Sequence, residues 1–183
     1  MNKVGGVREV EVKIPLEKDE RTELERRLKD YGVYIGKRVE EDFFFKHPNL
    51  LNATKILKLR KLNNSNNGSL IFKLKKLNDK LKDSIEFEIK IDKVDVMMRV
   101  LELLGFEVLG KVKKTRTTYF VDNAYVHIDE IEGLGVFIEI EVLTSDKEGL
   151  SNPEDVIKRV LLKLGLNDKK MICSGYLEML KGG

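Results

Sequence analysis

The sequence predicts an α+β fold: a closed antiparallel β-barrel of about eight strands with helices packed outside. Three observations carry this. Period-2 alternation of apolar and polar residues dominates the chain. Short turn signals join the alternating segments as hairpins. Helical spacing appears only between groups of strands, giving the order strand, helix, strands, helix, strands, helix. Antiparallel hairpins separated by helices imply α+β and not a doubly wound sheet.

The first strand spans 7–14, with Val10, Val12 and Ile14 alternating with Glu9, Glu11 and Lys13. A helix follows over 18–31, from Lys18, with Leu24, Leu28 and Tyr31 on one stripe. A short strand covers 41–46. Strands over 54–62 and 69–77, the latter ending at Leu77, flank the polar run 63–68, whose Asn67-Gly68 suits left-handed backbone angles. After a strand over 84–91, Val94, Met97, Met98, Leu101 and Leu104 share a helical stripe, with Asp92 as cap and Gly105 as stop. Strands over 113–121, 124–130 and 135–143 turn at Asp122-Asn123 and at 132–135. Ser151 or Asn152 then caps a helix opening at Pro153, carrying Val156, Val160, Leu161 and Leu164, and ending at Gly165. Residues 174–180 form a short closing helix. No composition break or repeat interrupts 1–183, which reads as a single domain.

Composition excludes several function classes. Charged residues make up 36% of the chain, yet 34 basic and 31 acidic side chains leave a net charge of only +3. That demands no nucleic acid, and no basic block or aromatic-and-basic ladder offers a strand platform. The lone Cys173 forms no internal disulfide and fits a reducing compartment. Residues 1–6 lack the apolar core of a secretory signal, and no apolar run reaches the ~20 residues that span a bilayer. The expected setting is cytoplasmic, without a membrane.

What matters is where each sign sits. Glu9, Glu11 and Lys13 share one face of the first strand, because side chains two apart point the same way. The same i, i+2 pairing recurs as Lys58 and Arg60, Lys73 and Lys75, Glu86 and Glu88, Lys114 and Arg116, and Glu139 and Glu141. An ordinary sheet with one wet face explains any single strand. Six such strands, with the signs sorted strand by strand, favour a barrel with charge in its lumen and apolar residues outside. Such an interior is costly unless ions neutralise it. A divalent metal on the glutamates and a polyanion on the Lys/Arg pairs neutralise it together, as Mg²⁺ does with nucleotide phosphates.

These residues resemble the CYTH superfamily, the triphosphate tunnel metalloenzymes. The resemblance rests on Glu9-Val10-Glu11-Val12-Lys13 as its ExExK strand, and on Leu57-Lys58-Leu59-Arg60. It continues through Lys114-Thr115-Arg116 with Tyr119, His127-Ile128-Asp129-Glu130, and Gly133-Leu134-Gly135 leading into Phe137-Ile138-Glu139-Ile140-Glu141. The stretch Asp42-Phe43-Phe44-Phe45-Lys46-His47-Pro48 and the tail Ser174-Gly175-Tyr176-Leu177-Glu178-Met179-Leu180 look like the class IV adenylyl cyclase branch. Two departures stand out. Lys58 occupies a position that is often arginine, and Leu74-Lys75-Lys76 stands where cyclases carry a Gly-Pro-containing loop.

The resemblance implies that Glu9, Glu11, Glu139 and Glu141, with Asp129 nearby, hold Mg²⁺ or Mn²⁺. Lys13, Lys58, Arg60, Lys73, Lys114 and Arg116 would cradle the phosphates, with Lys75 as an addition. Glu11, Lys13, Lys114, Arg116 and Glu139 form the catalytic set. The implied reaction is conversion of ATP to 3′,5′-cyclic AMP and pyrophosphate, with a triphosphate hydrolase of the same superfamily as the alternative. A homodimer is also implied. Bland roles stand beside these: Lys75 and Glu88 as exposed strand positions, and Glu86 as a tunnel residue or a partner of Arg116. His47 either orients the Pro48 loop or meets a base, while His127, Tyr119 and Tyr176 read as packing or hydrogen-bonding residues.

Overall fold

The computed structural model describes residues 5–17, 19–50, 54–76, 81–144 and 152–182. Its strands are β1 (Val7–Leu16), β2 (Val33–Lys46), β3 (Lys55–Leu62), β4 (Gly68–Lys76), β5 (Lys82–Ile91), β6 (Glu107–Val121), β7 (Ala124–Ile131) and β8 (Gly135–Thr144). The helices are α1 (Glu20–Tyr31), α2 (Val94–Leu103), α3 (Pro153–Leu164) and α4 (Tyr176–Leu180). The expected element ends at Lys18, Leu77 and Ser151 lie outside the described residues.

All neighbouring strands pair antiparallel, and the ring closes in the order β1-β5-β4-β3-β2-β6-β7-β8. Closure leaves no long sheet edge open to pairing with another chain. The apolar face of the ring points outward. Val10, Val12 and Ile14 of β1, Val126 and Ile128 of β7, and Ile138 and Ile140 of β8 meet Leu24 and Leu28 of α1 and Val156, Val160 and Leu164 of α3. Ile138, Ile140, Val126, Leu28 and Val160 are fully buried there, each worth roughly 1.5–3 kcal/mol. On the far side Val94 and Leu101 of α2 cover Phe45 of β2 and Leu59 of β3. Tyr31 and Leu104, expected on packed stripes, are exposed instead.

Several local expectations are corrected. β2 runs from Val33, not from residue 41, and β6 starts at Glu107, not at 113. Register shifts between Tyr34 and Gly36 and between Phe44 and Phe45 break the alternation that would announce them. In the β3–β4 hairpin Asn63 and Asn64 take the left-handed angles, at φ 50° and 55°, rather than Asn67-Gly68. Gly68 serves a different need: a Cβ there would lie 1.7 Å from the Arg60 carbonyl oxygen. Asp92 does not cap α2. Asn66 of the hairpin does, its carbonyl accepting from the Val94 amide at 2.8 Å and its side chain from the Asp95 amide at 2.9 Å. For α3 the cap is Asn152, which accepts from the Glu154 amide at 3.1 Å, and Gly165 closes the helix at φ 69°.

Candidate active site: a tunnel with sorted charge

Because the ring is apolar outside, the other face of every strand points into the bore. Glu9, Glu11 and Lys13 of β1, Lys58 and Arg60 of β3, Lys73 and Lys75 of β4, Lys114 and Arg116 of β6, and Glu139 and Glu141 of β8 all line one cavity of ≈ 1120 Å³. Asp129 of β7 sits just behind this lining, with no exposed surface. Glu9, Lys13, Lys58, Lys114, Arg116 and Glu139 are also buried. Burial of so many charges is tolerable only because each meets an opposite one.

The basic side is built from two similar units. Lys58 and Arg60 are two apart on β3, and both reach Asp42 across the strand pair, at 2.9 Å for the lysine and 2.7 and 2.8 Å for the guanidinium fork. Lys114 and Arg116 are two apart on β6 and both reach Asp129 across the next pair, at 3.1 Å and at 2.7 and 2.5 Å. Glu40 lies between the units, 3.2 Å from Arg60 and 3.4 Å from Lys114. Burial pushes the Lys58 ammonium below its usual range, and neighbouring Arg60 adds to that against Asp42. Arg116 is held well above its usual range, since Asp129, Glu139 and Glu40 outweigh burial.

The acidic side is built on β1 and β8, where Glu11 stands opposite Glu141 and Lys13 opposite Glu139. Lys73 reaches Glu9 at 2.6 Å and Glu86 at 2.7 Å. Burial lifts the Glu9 carboxyl well above the usual carboxylate range against Lys73, with Glu11 and Glu141 adding to the lift. Burial and Glu139 also push Glu11 upward, but Lys13, Lys82 and Lys73 outweigh them and leave it below the usual range. Glu139 touches Lys13 at 3.2 Å and Arg116 at 2.8 Å. Against burial, Arg116 and Lys13 hold it well below.

Among the described residues no group of three carboxylates, histidines or cysteines stands ready as a metal cluster. Each of the four glutamates is turned toward a basic side chain of the protein: Glu9 to Lys73, Glu11 to Lys82 at 3.1 Å, Glu139 to Lys13 and Arg116, and Glu141 to His127 at 3.0 Å. The donor set fits a hard divalent cation: all oxygen, on two paired strands, with Glu9 repelled by Glu11 and Glu141 and Glu11 repelled by Glu139. Asp129 differs from the four. Both its oxygens are taken up by Arg116, Lys114 and the Tyr176 hydroxyl, the last at 3.1 Å.

Other expectations resolve at this level. Glu86 faces the bore and pairs with Lys73, not with Arg116. Lys75 lines the cavity and meets Glu178 at 3.5 Å, whereas Glu88 pairs with the exposed Lys90. His47 accepts from the Asn49 amide at 3.1 Å and stacks on Phe106, so it orients its loop. His127 bridges Thr118 and Glu141, and Tyr119 packs edge-on to Tyr34. Tyr176 does both jobs expected of it: its ring meets Phe137 and lies 4.0 Å beneath the Lys13 ammonium, and its hydroxyl bonds Asp129. Glu40, Asp42 and Lys82 were not read as site residues. The i, i+2 parity that picked out Lys58 and Arg60 extends to Glu40–Asp42 and to Lys82–Glu86, and would have found them.

The described residues contain no helix long and apolar enough to cross a membrane. The CYTH domain family matches residues 7–176. This chain belongs to the CYTH family. A candidate adenylate cyclase of Methanocaldococcus jannaschii is 27% identical over 173 residues, covering 93% of this chain and 98% of that one. The adenylate cyclase CyaB of Aeromonas hydrophila is 27% identical over 88 residues, 48% of this chain and 46% of its own. A solved structure from Pyrococcus horikoshii is 31% identical, covers 95% of this chain and 98% of its own, and superposes with a TM-score of 0.75. CYTH proteins are metal-dependent enzymes of triphosphates, so the sorted bore described above is the candidate active site of this family member.

Proposed function

We propose that the chain converts ATP to 3′,5′-cyclic AMP and pyrophosphate within the tunnel. The observation that carries this is the meeting of both charge sets in one bore. Lys13, Lys58, Arg60, Lys73, Lys114 and Arg116 line the same cavity as Glu9, Glu11, Glu139 and Glu141. A phosphoanion chain and a divalent cation neutralise such a bore jointly. The Methanocaldococcus jannaschii and Aeromonas hydrophila relatives support the cyclase reading.

Glu9, Glu11, Glu139 and Glu141 would hold Mg²⁺ or Mn²⁺, which supplies positive charge at the phosphate oxygens and acidifies a nearby hydroxyl. The lysines and arginines bind and orient the three phosphates and stabilise charge that builds on the leaving pyrophosphate. The ribose 3′-oxygen forms a bond to the α-phosphorus, the bond to the pyrophosphate oxygen breaks, and the hydroxyl proton is lost to solvent. Glu139, between Lys13 and Arg116, ties the β1–β8 carboxylates that would hold a metal to the Lys114–Arg116 pair that would bind phosphate.

One observation favours a second reading, hydrolysis of a triphosphate. β4 runs as continuous strand through Lys76, so Leu74-Lys75-Lys76 stands as strand where cyclases carry a Gly-Pro-containing loop. Incubation of the purified protein with ATP and Mn²⁺ separates the two: cyclic AMP with pyrophosphate supports the cyclase, and orthophosphate alone supports the hydrolase. Neither product under any divalent metal overturns both.

A further inference from the structure

Two Asp residues, on the β2 and β7 strands that flank β6, each hold one lysine and one arginine, and neither resembles the four glutamates on β1 and β8. Asp42 stands directly opposite Arg60, and Asp129 directly opposite Arg116. Each takes its arginine in a two-bond fork, and each also takes the lysine two residues before it. Arginine forks are rigid and planar, whereas a lysine ammonium on one oxygen swings away readily. Glu40, without exposed surface, joins the two units: its Oε1 accepts from Arg38 at 2.6 Å, while its Oε2 makes no well-directed hydrogen bond and lies within ion-pair distance of Arg60 and Lys114.

We propose that Asp42 and Asp129, linked by Glu40, are positioning residues that hold the two Lys-x-Arg pairs as one phosphate clamp, and that neither carboxylate is a metal ligand. This rests on the proposed triphosphate reading and deepens it. A cation entering at Asp42 or Asp129 would have to break a fork and a lysine contact. One entering among Glu9, Glu11 and Glu141 displaces lysine ammoniums and a histidine but breaks no guanidinium fork. The tunnel is thereby divided into an anchored wall of β2, β3, β6 and β7, which receives phosphate, and a responsive wall of β1 and β8, which receives metal.

The test compares Asp42→Asn, Asp129→Asn and Glu139→Gln in the full chain. Mn²⁺ binding is read from the paramagnetic resonance of the free ion, tripolyphosphate binding by calorimetry in EDTA, and ATP turnover as kcat and KM. The two Asp variants are expected to bind Mn²⁺ within about threefold of wild type while kcat falls by more than about tenfold; Glu139→Gln is expected to weaken Mn²⁺ binding by more than about tenfold. A shift in Mn²⁺ binding for either Asp variant as large as that of Glu139→Gln overturns the proposal, and so does a kcat within about twofold of wild type. Should Asp42→Asn fail to fold in circular dichroism, Asp42→Glu keeps the charge, moves the fork, and is read by the same measurements. If wild type turns over no triphosphate, the proposed function fails separately. The clamp then stands if Arg60→Gln and Lys114→Met each weaken metal-free tripolyphosphate binding about tenfold while the Asp variants keep Mn²⁺ binding, and it falls if that tripolyphosphate binding is unchanged or the Mn²⁺ binding is lost.

Discussion

Arg116 donates to Glu139 at 2.8 Å while its fork is closed on Asp129, so one guanidinium on β6 joins β7 to β8 inside the tunnel. Both partners are buried. An interaction of this kind is costly to break from one side, because the remaining charge is left without a partner in a low-dielectric bore.

Glu139→Gln removes the anion shared by Lys13 and Arg116 and one of the four carboxylates offered to metal. The expected outcome is loss of turnover by about 100-fold or more, at the scale of other removed electrostatic groups. Product formation from ATP with saturating Mn²⁺ measures it. Turnover within about fivefold of wild type would remove Glu139 from the catalytic set.

Acid should unfold the chain through its paired aspartates. The guanidinium of Arg60 and the ammonium of Lys58 overcome burial and hold the Asp42 carboxyl below its ordinary 3.8. Asp129 is lowered against burial by Arg116 and Lys114. A lowered folded-state value means that the unfolded chain binds the proton more tightly. The stabilisation is therefore present above pH 3.8 and is lost as pH falls below it. Thermal midpoints recorded downward from pH 6 should drop below that point, and Asp42→Asn should show a shallower drop. A flat profile would refute the linkage.

How much of this was legible in the sequence depended on which face of each strand carried the signal. Where one face was apolar and the other charged without interruption, as at Val10, Val12 and Ile14 against Glu9, Glu11 and Lys13, the strand, its packed face and the side chains that line the bore were all readable. The first half of β2 was not. Val33, Tyr34 and Ile35 are consecutive and exposed, and the register shift after Tyr34 spoils the period. Pairing partners were equally hidden, since alternation says which side a residue faces but not which strand stands opposite. That is why the sequence offers Glu86 as a partner of Arg116 when Asp129 and Glu139 hold it.

The trans cap on α2 was invisible for a related reason: the donor amide of Asp95 and the accepting side chain of Asn66 are 29 residues apart. Asn66→Ala deletes the acceptor for the Asp95 amide and should cost about 1 kcal/mol of stability. Asp92→Ala, which removes the residue expected to cap, should fall within about 0.5 kcal/mol of wild type. Urea midpoints at constant slope decide between them, and the reverse ranking would restore Asp92 as the cap.

Tyr176 offers the sharpest separation of packing from charge, because ring and hydroxyl do different work. Tyr176→Phe keeps the ring against Phe137 and beneath Lys13 but withdraws one donor from Asp129. Asp129 retains Arg116 and Lys114, so the loss should lie near the lower end of the ~1.5–3 kcal/mol found for hydrogen bonds to charged groups. Tyr176→Ala removes the ring as well, opens space among Val112, Ile131 and Phe137, and should cost about 3–5 kcal/mol. Turnover should follow the same order, because Lys13 loses the aromatic face that supports its ammonium only in the alanine variant. Chemical denaturation and kcat measured on both variants test this. Equal losses for phenylalanine and alanine would assign the residue's whole contribution to the hydroxyl and leave the ring without a role.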